Sequence, residues 1–171
     1  VSYTEIYSFN KKGTIQKCIS IENAWRGCMA IWSILEKKYL PSLPLPFWYN
    51  TIHKDGDNYY SRTSTLKNDN MQEIWNLVKD TRLSNDEKIC LFCTFDKVLF
   101  KKEDYNRVCT AFRNFEGETS LQEQAIAIEE LCKEDIIAIG FSISLIENFW
   151  EEYNIIEGTQ HYYLFDKLQI L

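Results

Sequence analysis

Proline is scarce in this chain of 171 residues: there are three, all between Pro41 and Pro46. The rest is free of the residue that most reliably interrupts helices and central strands. Histidine is scarcer, with only His53 and His161. They are not spaced as a metal-binding pair, and no Ser-His-Asp or Cys-His arrangement has a local signature. None of the six glycines opens a phosphate-binding loop, because KKGT and GDN lack both the spacing and the following helix. DGDN falls short of a calcium loop, which needs further ligands including a terminal acidic residue. No run approaches the roughly 20 apolar residues that span a bilayer. The opening VSYTEIYSFNKKG, alternating and charged at Glu5, Lys11 and Lys12, has neither the apolar stretch nor the small-residue cleavage site of a secretory signal. These absences set the expectation of a soluble cytoplasmic protein with no membrane partner, no metal, no cofactor and no catalytic residue.

What the chain does contain is material for a core. Apolar residues make up 45% and aromatics 15%, with five Trp and ten each of Tyr and Phe, so most segments have something to bury. The length fits a single globular domain over 1–171. Six cysteines are present; without an export signal they read as free thiols rather than a disulfide framework. Charge is uneven. Residues 1–85 carry 11 basic against 8 acidic side chains, and residues 86–171 carry 8 against 17, a balance of +3 and −9. The acidic half disfavours nonspecific nucleic-acid binding, which draws its affinity from Lys and Arg, and suits a basic partner instead.

The order of elements predicts an α+β domain: a small mixed or antiparallel sheet with an N-terminal hairpin and about five helices packed mainly on one face. YTEIYSF and TIQKCIS flank Asn10-Lys11-Lys12-Gly13 as a hairpin. Trp25, Cys28, Trp32, Leu35 and Tyr39 recur at helical steps as one stripe. A long irregular loop follows at about 40–68, then a short helix in DNMQEIWNLVKD. Ser84 and Glu87 match a capping box opening the next helix, as do Ser120 and Glu123 further on. FDKVLF is strand-like, Tyr105, Val108, Cys109 and Phe112 are helical in spacing, IIAIGF suits a central strand buried on both faces, and HYYLFDKL is expected to be a strand.

Three features compete as functional sites. Cys90 and Cys93 form a C-x-x-C, but near the C-terminal end of a helix, where partial negative charge disfavours thiolates, and without a second ligand pair for zinc; two core thiols is the simpler reading. The loop at 47–62, FWYNTIHKDGDNYYSR, gathers Trp48, Tyr49, His53, Lys54, Tyr59, Tyr60 and Arg62. Such interleaving can stack on rings and hold phosphate, while the same aromatics could equally cover the core. Acidic pairs at Glu129-Glu130, Glu134-Asp135 and Glu151-Glu152 are candidates for docking a basic protein groove, or are solvated faces.

Taken as wholes, ENAWRGCMAIWSILEKKYLP, MQEIWNLVKD, TFDKVLFKKEDYNRVCTAFRNFEGETSLQEQA and LFDKL resemble a group of small uncharacterised proteins from phages, prophages and mobile elements of clostridia-like bacteria, over most of the chain. These phrases form no catalytic motif, and no activity or residue role is carried over. The resemblance implies an accessory protein that binds and inhibits host machinery. The expectation is therefore a noncatalytic binding protein, an inhibitor of a host defence or nucleic-acid-processing protein, acting through the acidic C-terminal half or the aromatic loop. The alternative is a small enzyme or sequestering protein for a nucleotide-like ligand at 47–62.

Overall fold

A computed structural model describes residues 3–22, 52–55, 58–61, 76–93, 97–115, 120–143 and 149–168. The fold is α+β. Strand β1 (Tyr3–Phe9) and strand β2 (Ile15–Glu22) form the expected hairpin. Asn10 shapes its tip by accepting from the Lys12 and Thr14 amides at 2.9 and 3.3 Å, and Gly13 supplies the positive φ of 86° that closes the turn. A separate two-stranded ladder joins β3 (Ile52–Asp55) to β4 (Asn58–Ser61). A 3-10 turn at Asn76–Lys79 precedes α1 (Asn85–Cys93). Then come β5 (Val98–Lys101), a 3-10 turn at Lys102–Asp104, α2 (Tyr105–Asn114), α3 (Ser120–Leu131), β6 (Ala138–Ile143), β7 (Tyr162–Tyr163) and α4 (Leu164–Leu168).

The main sheet has the order β2-β1-β6-β5-β7. It is mixed: every pairing is antiparallel except β5 with β7. IIAIGF supplies the central strand β6. Alternation along the strands divides the side chains between two cores. Ile6, Val98, Phe100, Ile139 and Phe141 pack with the buried faces of α1–α4, whereas Tyr7, Phe9, Leu99 and Ala138 pack with Trp150 and Ile155. Gly140 lets the second core close. A Cβ there would stand 2.9 Å from Leu99 Cδ2 and 3.2 Å from both the Phe9 and Trp150 rings.

The capping box at Ser84 forms as its spacing predicts: the Ser84 amide donates to Glu87 Oε1 and the Glu87 amide to Ser84 Oγ, each at 3.1 Å. The C-terminal strand expected from HYYLFDKL is mostly helix. Only Tyr162 and Tyr163 pair, held by the Tyr162 amide donating to the Lys97 carbonyl at 2.7 Å. Beyond them a helical turn buries Leu164 and Leu168 together and sets the Phe165 ring 4.1 Å beneath the Arg107 guanidinium. Lys97 itself has φ of 65°, a left-handed conformation that costs a β-carbon-bearing residue about 1–2 kcal/mol. Four α-helices are found among the described residues. The stripe Trp25–Tyr39 lies outside the described residues, as do 69–75 of the short helix.

Candidate functional site

The cysteine pair is built into the interior. Helix α1 ends at Cys93 and buries both Cys90 and Cys93; the Cys90 thiol donates to the Ala111 carbonyl of α2 at 3.5 Å. Burial, followed by the nearby Asp86 and Glu87 carboxylates, pushes the Cys90 thiol far up. Burial likewise takes Cys109 to about 12 and Cys132 to about 11. Thiols held in this way are poor nucleophiles and poor metal ligands. No three His, Cys, Asp or Glu side chains converge on a common point among the described residues.

Of the aromatic loop, Trp48, Tyr49 and Arg62 lie outside the described residues. The remaining four sit on the β3–β4 ladder, whose register sets His53 opposite Tyr60 and Lys54 opposite Tyr59.

The acidic residues separate into two groups. Glu129 pairs with Arg113 of α2, and Glu130 with Lys133 at 2.9 Å. Glu134 meets Lys17 at 3.7 Å and accepts from Gln16 at 2.9 Å, while Asp135 meets Lys11 at 3.1 Å. The basic N-terminal hairpin thus lies against the acidic end of α3, and much of the local charge is compensated. Exposed pairs of this kind add little to stability, because water and salt screen them. Glu151 and Glu152 differ. They are exposed on the turn after Trp150 and have no ion-pair partner among the described residues.

That turn is held at several points. Trp150 is buried, donates from its indole to the Phe141 carbonyl at 2.8 Å and meets Phe9 edge to face at 5.3 Å. Asn154 then joins the turn to the hairpin tip. Its side-chain amide donates to the Lys12 carbonyl at 2.9 Å, and its Oδ1 accepts from the Ile156 and Glu157 amides at 2.8 and 3.1 Å. The Ile155 amide donates to the Gly13 carbonyl at 2.9 Å. At the far end the Tyr153 hydroxyl lies 2.8 Å from His161 Nδ1 and accepts from the Gln160 amide at 2.9 Å. The result is a fixed projection bearing Glu151, Glu152 and Glu157 beside Ile156, which is 58% exposed. Sequence reasoning named the two adjacent carboxylates but missed Asn154, although Asn followed four residues later by Gly is turn chemistry in which the Asx side chain caps its own backbone.

Rings continue outward from the turn. Phe149 and Tyr153 are 4.4 Å apart, Tyr153 and His161 5.7 Å, and His161 and Tyr163 5.2 Å. Lys97 lies over Phe149 and Lys101 over Tyr163. Below Tyr163 is a cleft of about 20 Å³, room for about one water, lined in part by Lys101, Asp104 and Asp166. Burial raises the Asp104 carboxyl above its ordinary value, against the pull of Arg107.

Two buried polar side chains have no hydrogen-bond partner among the described residues. Gln124 of α3 is fully buried with neither amide atom bonded, and Thr4 Oγ1 of β1 is in the same condition. Helix α3 packs on β1 and β2. Glu134, three residues past the end of that helix, reaches Lys17, which pairs with Ser8 across the hairpin.

No helix among the described residues is long and apolar enough to cross a membrane. Comparison of the chain with protein-family models, with curated proteins and with solved structures finds no match.

Proposed function

We propose that the chain is a noncatalytic binding protein that docks a basic protein surface through the turn at 149–158, and that in a phage-borne setting the partner is a host defence or nucleic-acid-processing protein that it inhibits. The observation carrying this reading is the fixed acidic turn: Glu151, Glu152, Ile156 and Glu157 are all exposed on it, and residues 149–158 contain no basic side chain. Asn154 holds its backbone in place before any partner arrives. An apolar anchor within a charged rim is the usual anatomy of a protein contact. Preorganisation lowers the ordering cost of binding, and the excess of −9 over residues 86–171 steers encounter with a basic groove.

The test is capture from host lysate on immobilised protein, run in parallel for the wild type and for a Glu151→Lys, Glu152→Lys double variant at low and moderate salt. A partner retained by the wild type and weakened about tenfold or more in the variant, equivalent to about 1.4 kcal/mol, supports the reading. Equal capture by both, or no partner at either salt, defeats it.

A second reading, a nucleotide-like ligand at 47–62, draws support from the β3–β4 register, which brings four of its residues into two cross-strand pairs. A thermal-shift screen against nucleotides tests it, since a ligand bound only by the folded state raises the melting temperature.

A further inference from the structure

The turn that presents the acidic surface is tied at its far end through the Tyr153 hydroxyl, whose two hydrogen-bond partners include a titratable ring. The Gln160 amide donates to the Tyr153 hydroxyl oxygen at 2.9 Å, and the same hydroxyl is 2.8 Å from His161 Nδ1. A phenol has one hydrogen and a neutral imidazole has one bare nitrogen. With the imidazole hydrogen on Nε2, Tyr153 donates to the bare Nδ1 while its oxygen accepts from Gln160.

We propose that the Tyr153–His161 bond is a proton-operated latch on the acidic turn: a neutral imidazole accepts from Tyr153 and holds the turn in its partner-binding form, and a proton taken from solvent onto Nδ1 removes that acceptor and releases it. The proposal rests on the binding reading above. After protonation the only bond still open to the pair is Nδ1–H to the phenol oxygen. That oxygen then receives two donors, and the hydroxyl hydrogen loses its partner.

The surroundings oppose a cation at this position. The imidazole is half-buried between the Tyr153 ring of the turn and the Tyr163 ring of β7, meeting each edge to face. Two ammonium groups from the β5 side lie over the flanking rings, Lys97 over Phe149 and Lys101 over Tyr163. The nearby acidic groups, Asp166 of α4 and Glu103 of the 3-10 turn, act on the Tyr163 phenol. Burial holds the His161 imidazole below its ordinary value, so the latch is closed at neutral pH and opens on acidification.

The test is hydrogen exchange read at the Gln160 amide, corrected for the intrinsic pH dependence of exchange, at about pH 7.5 and about pH 5, on either side of the ordinary histidine range. Wild type, His161→Gln and Tyr153→Phe are compared. The glutamine carbonyl can accept from Tyr153 but does not titrate, and Tyr153→Phe removes the bond altogether. The expected pattern is a severalfold loss of protection in the wild type at the lower pH, none in His161→Gln, and low protection at both values in Tyr153→Phe. Unchanged wild-type protection, the same pH response in His161→Gln, or full protection in Tyr153→Phe at neutral pH overturns the latch. The Glu151→Lys, Glu152→Lys comparison is made at neutral pH and leaves the latch atoms untouched, so failure of the binding reading is distinguishable from failure of the latch.

Discussion

Replacing Gln124 by methionine is expected to make the protein more stable, against the usual direction of a core substitution. Gln124 is fully buried and neither its carbonyl oxygen nor its amide nitrogen is bonded; an unbonded buried polar group costs about 1–3 kcal/mol. Methionine keeps the unbranched length and adapts to an irregular site, and volume-conserving changes of this kind lose less than about 1.5 kcal/mol through imperfect packing. The two ranges leave anything from a loss of about 0.5 to a gain of about 3 kcal/mol, centred on a gain of about 1–2 kcal/mol. For a chain of this size that corresponds to a rise of about 2–8 °C in melting temperature. The assay is thermal unfolding followed by circular dichroism, together with a urea titration in which the midpoint rises and the slope is unchanged. Thr4→Val in the same background tells whether the two groups are independent. If each is simply unbonded their gains add, and if one water joins them the double variant departs from additivity. A fall in stability of about 1 kcal/mol or more on Gln124→Met refutes the reasoning, because it means the amide is bonded in solution and its loss leaves a partner stranded.

Other outcomes follow from the same structure. Gly140→Ala should destabilise by about 1–3 kcal/mol in urea unfolding, since the added methyl must displace Leu99, Phe9 or Trp150 from a closed core. In a brief alkylation at mildly alkaline pH read by mass spectrometry, Cys18, which is exposed, should label well ahead of Cys90, Cys93, Cys109 and Cys132; with thiols held at about 12 and about 11, Cys109 and Cys132 should lag an ordinary thiol by a hundredfold or more, on the order of their lost thiolate fraction. Stability should also depend on pH through His161. Its value is lowered in the folded state, so its contribution is fully present above the unfolded value of about 6.5 and is lost as pH falls toward the folded one. His161→Gln should flatten the unfolding midpoint across that window. Asp104 is raised by burial and acts in the opposite sense, favouring the folded state only as its own, lower range is reached; its titration is therefore separable.

The parts of the fold visible in the sequence were those encoded over short distances. The β1–β2 hairpin follows from alternation around Asn10–Gly13, α1 from the Ser84–Glu87 box, and β6 from an uninterrupted apolar run. HYYLFDKL misled because its aromatic texture over three residues is followed by Leu164 and Leu168, whose four-residue separation is satisfied only by a helical turn against the first core. The acidic residues were legible as residues but not as partners. Nothing local says that Glu134 and Asp135 meet the hairpin's Lys17 and Lys11, more than a hundred positions away, whereas Glu151 and Glu152 remain open. Gln124 was invisible for the same reason: in the sequence it is one polar residue on an amphipathic helix, and only the docking of α3 on β1 and β2 turns it inward.

The bond from Asn154 to the Lys12 carbonyl spans 142 residues, and this has a meaning for how the chain is made. The hairpin leaves the ribosome ahead of the acidic turn, and the groups that clasp its tip follow on the order of ten seconds later at ordinary elongation rates. Until then the Lys12 and Gly13 carbonyls can bond only to water, and the sheet lacks both Trp150 above its centre and β7 at its edge. Contacts of such separation slow folding. The sheet should therefore gain its native rigidity only after translation has passed the acidic turn, so that a truncated chain ending before it would have neither that turn nor the clasp on its hairpin tip.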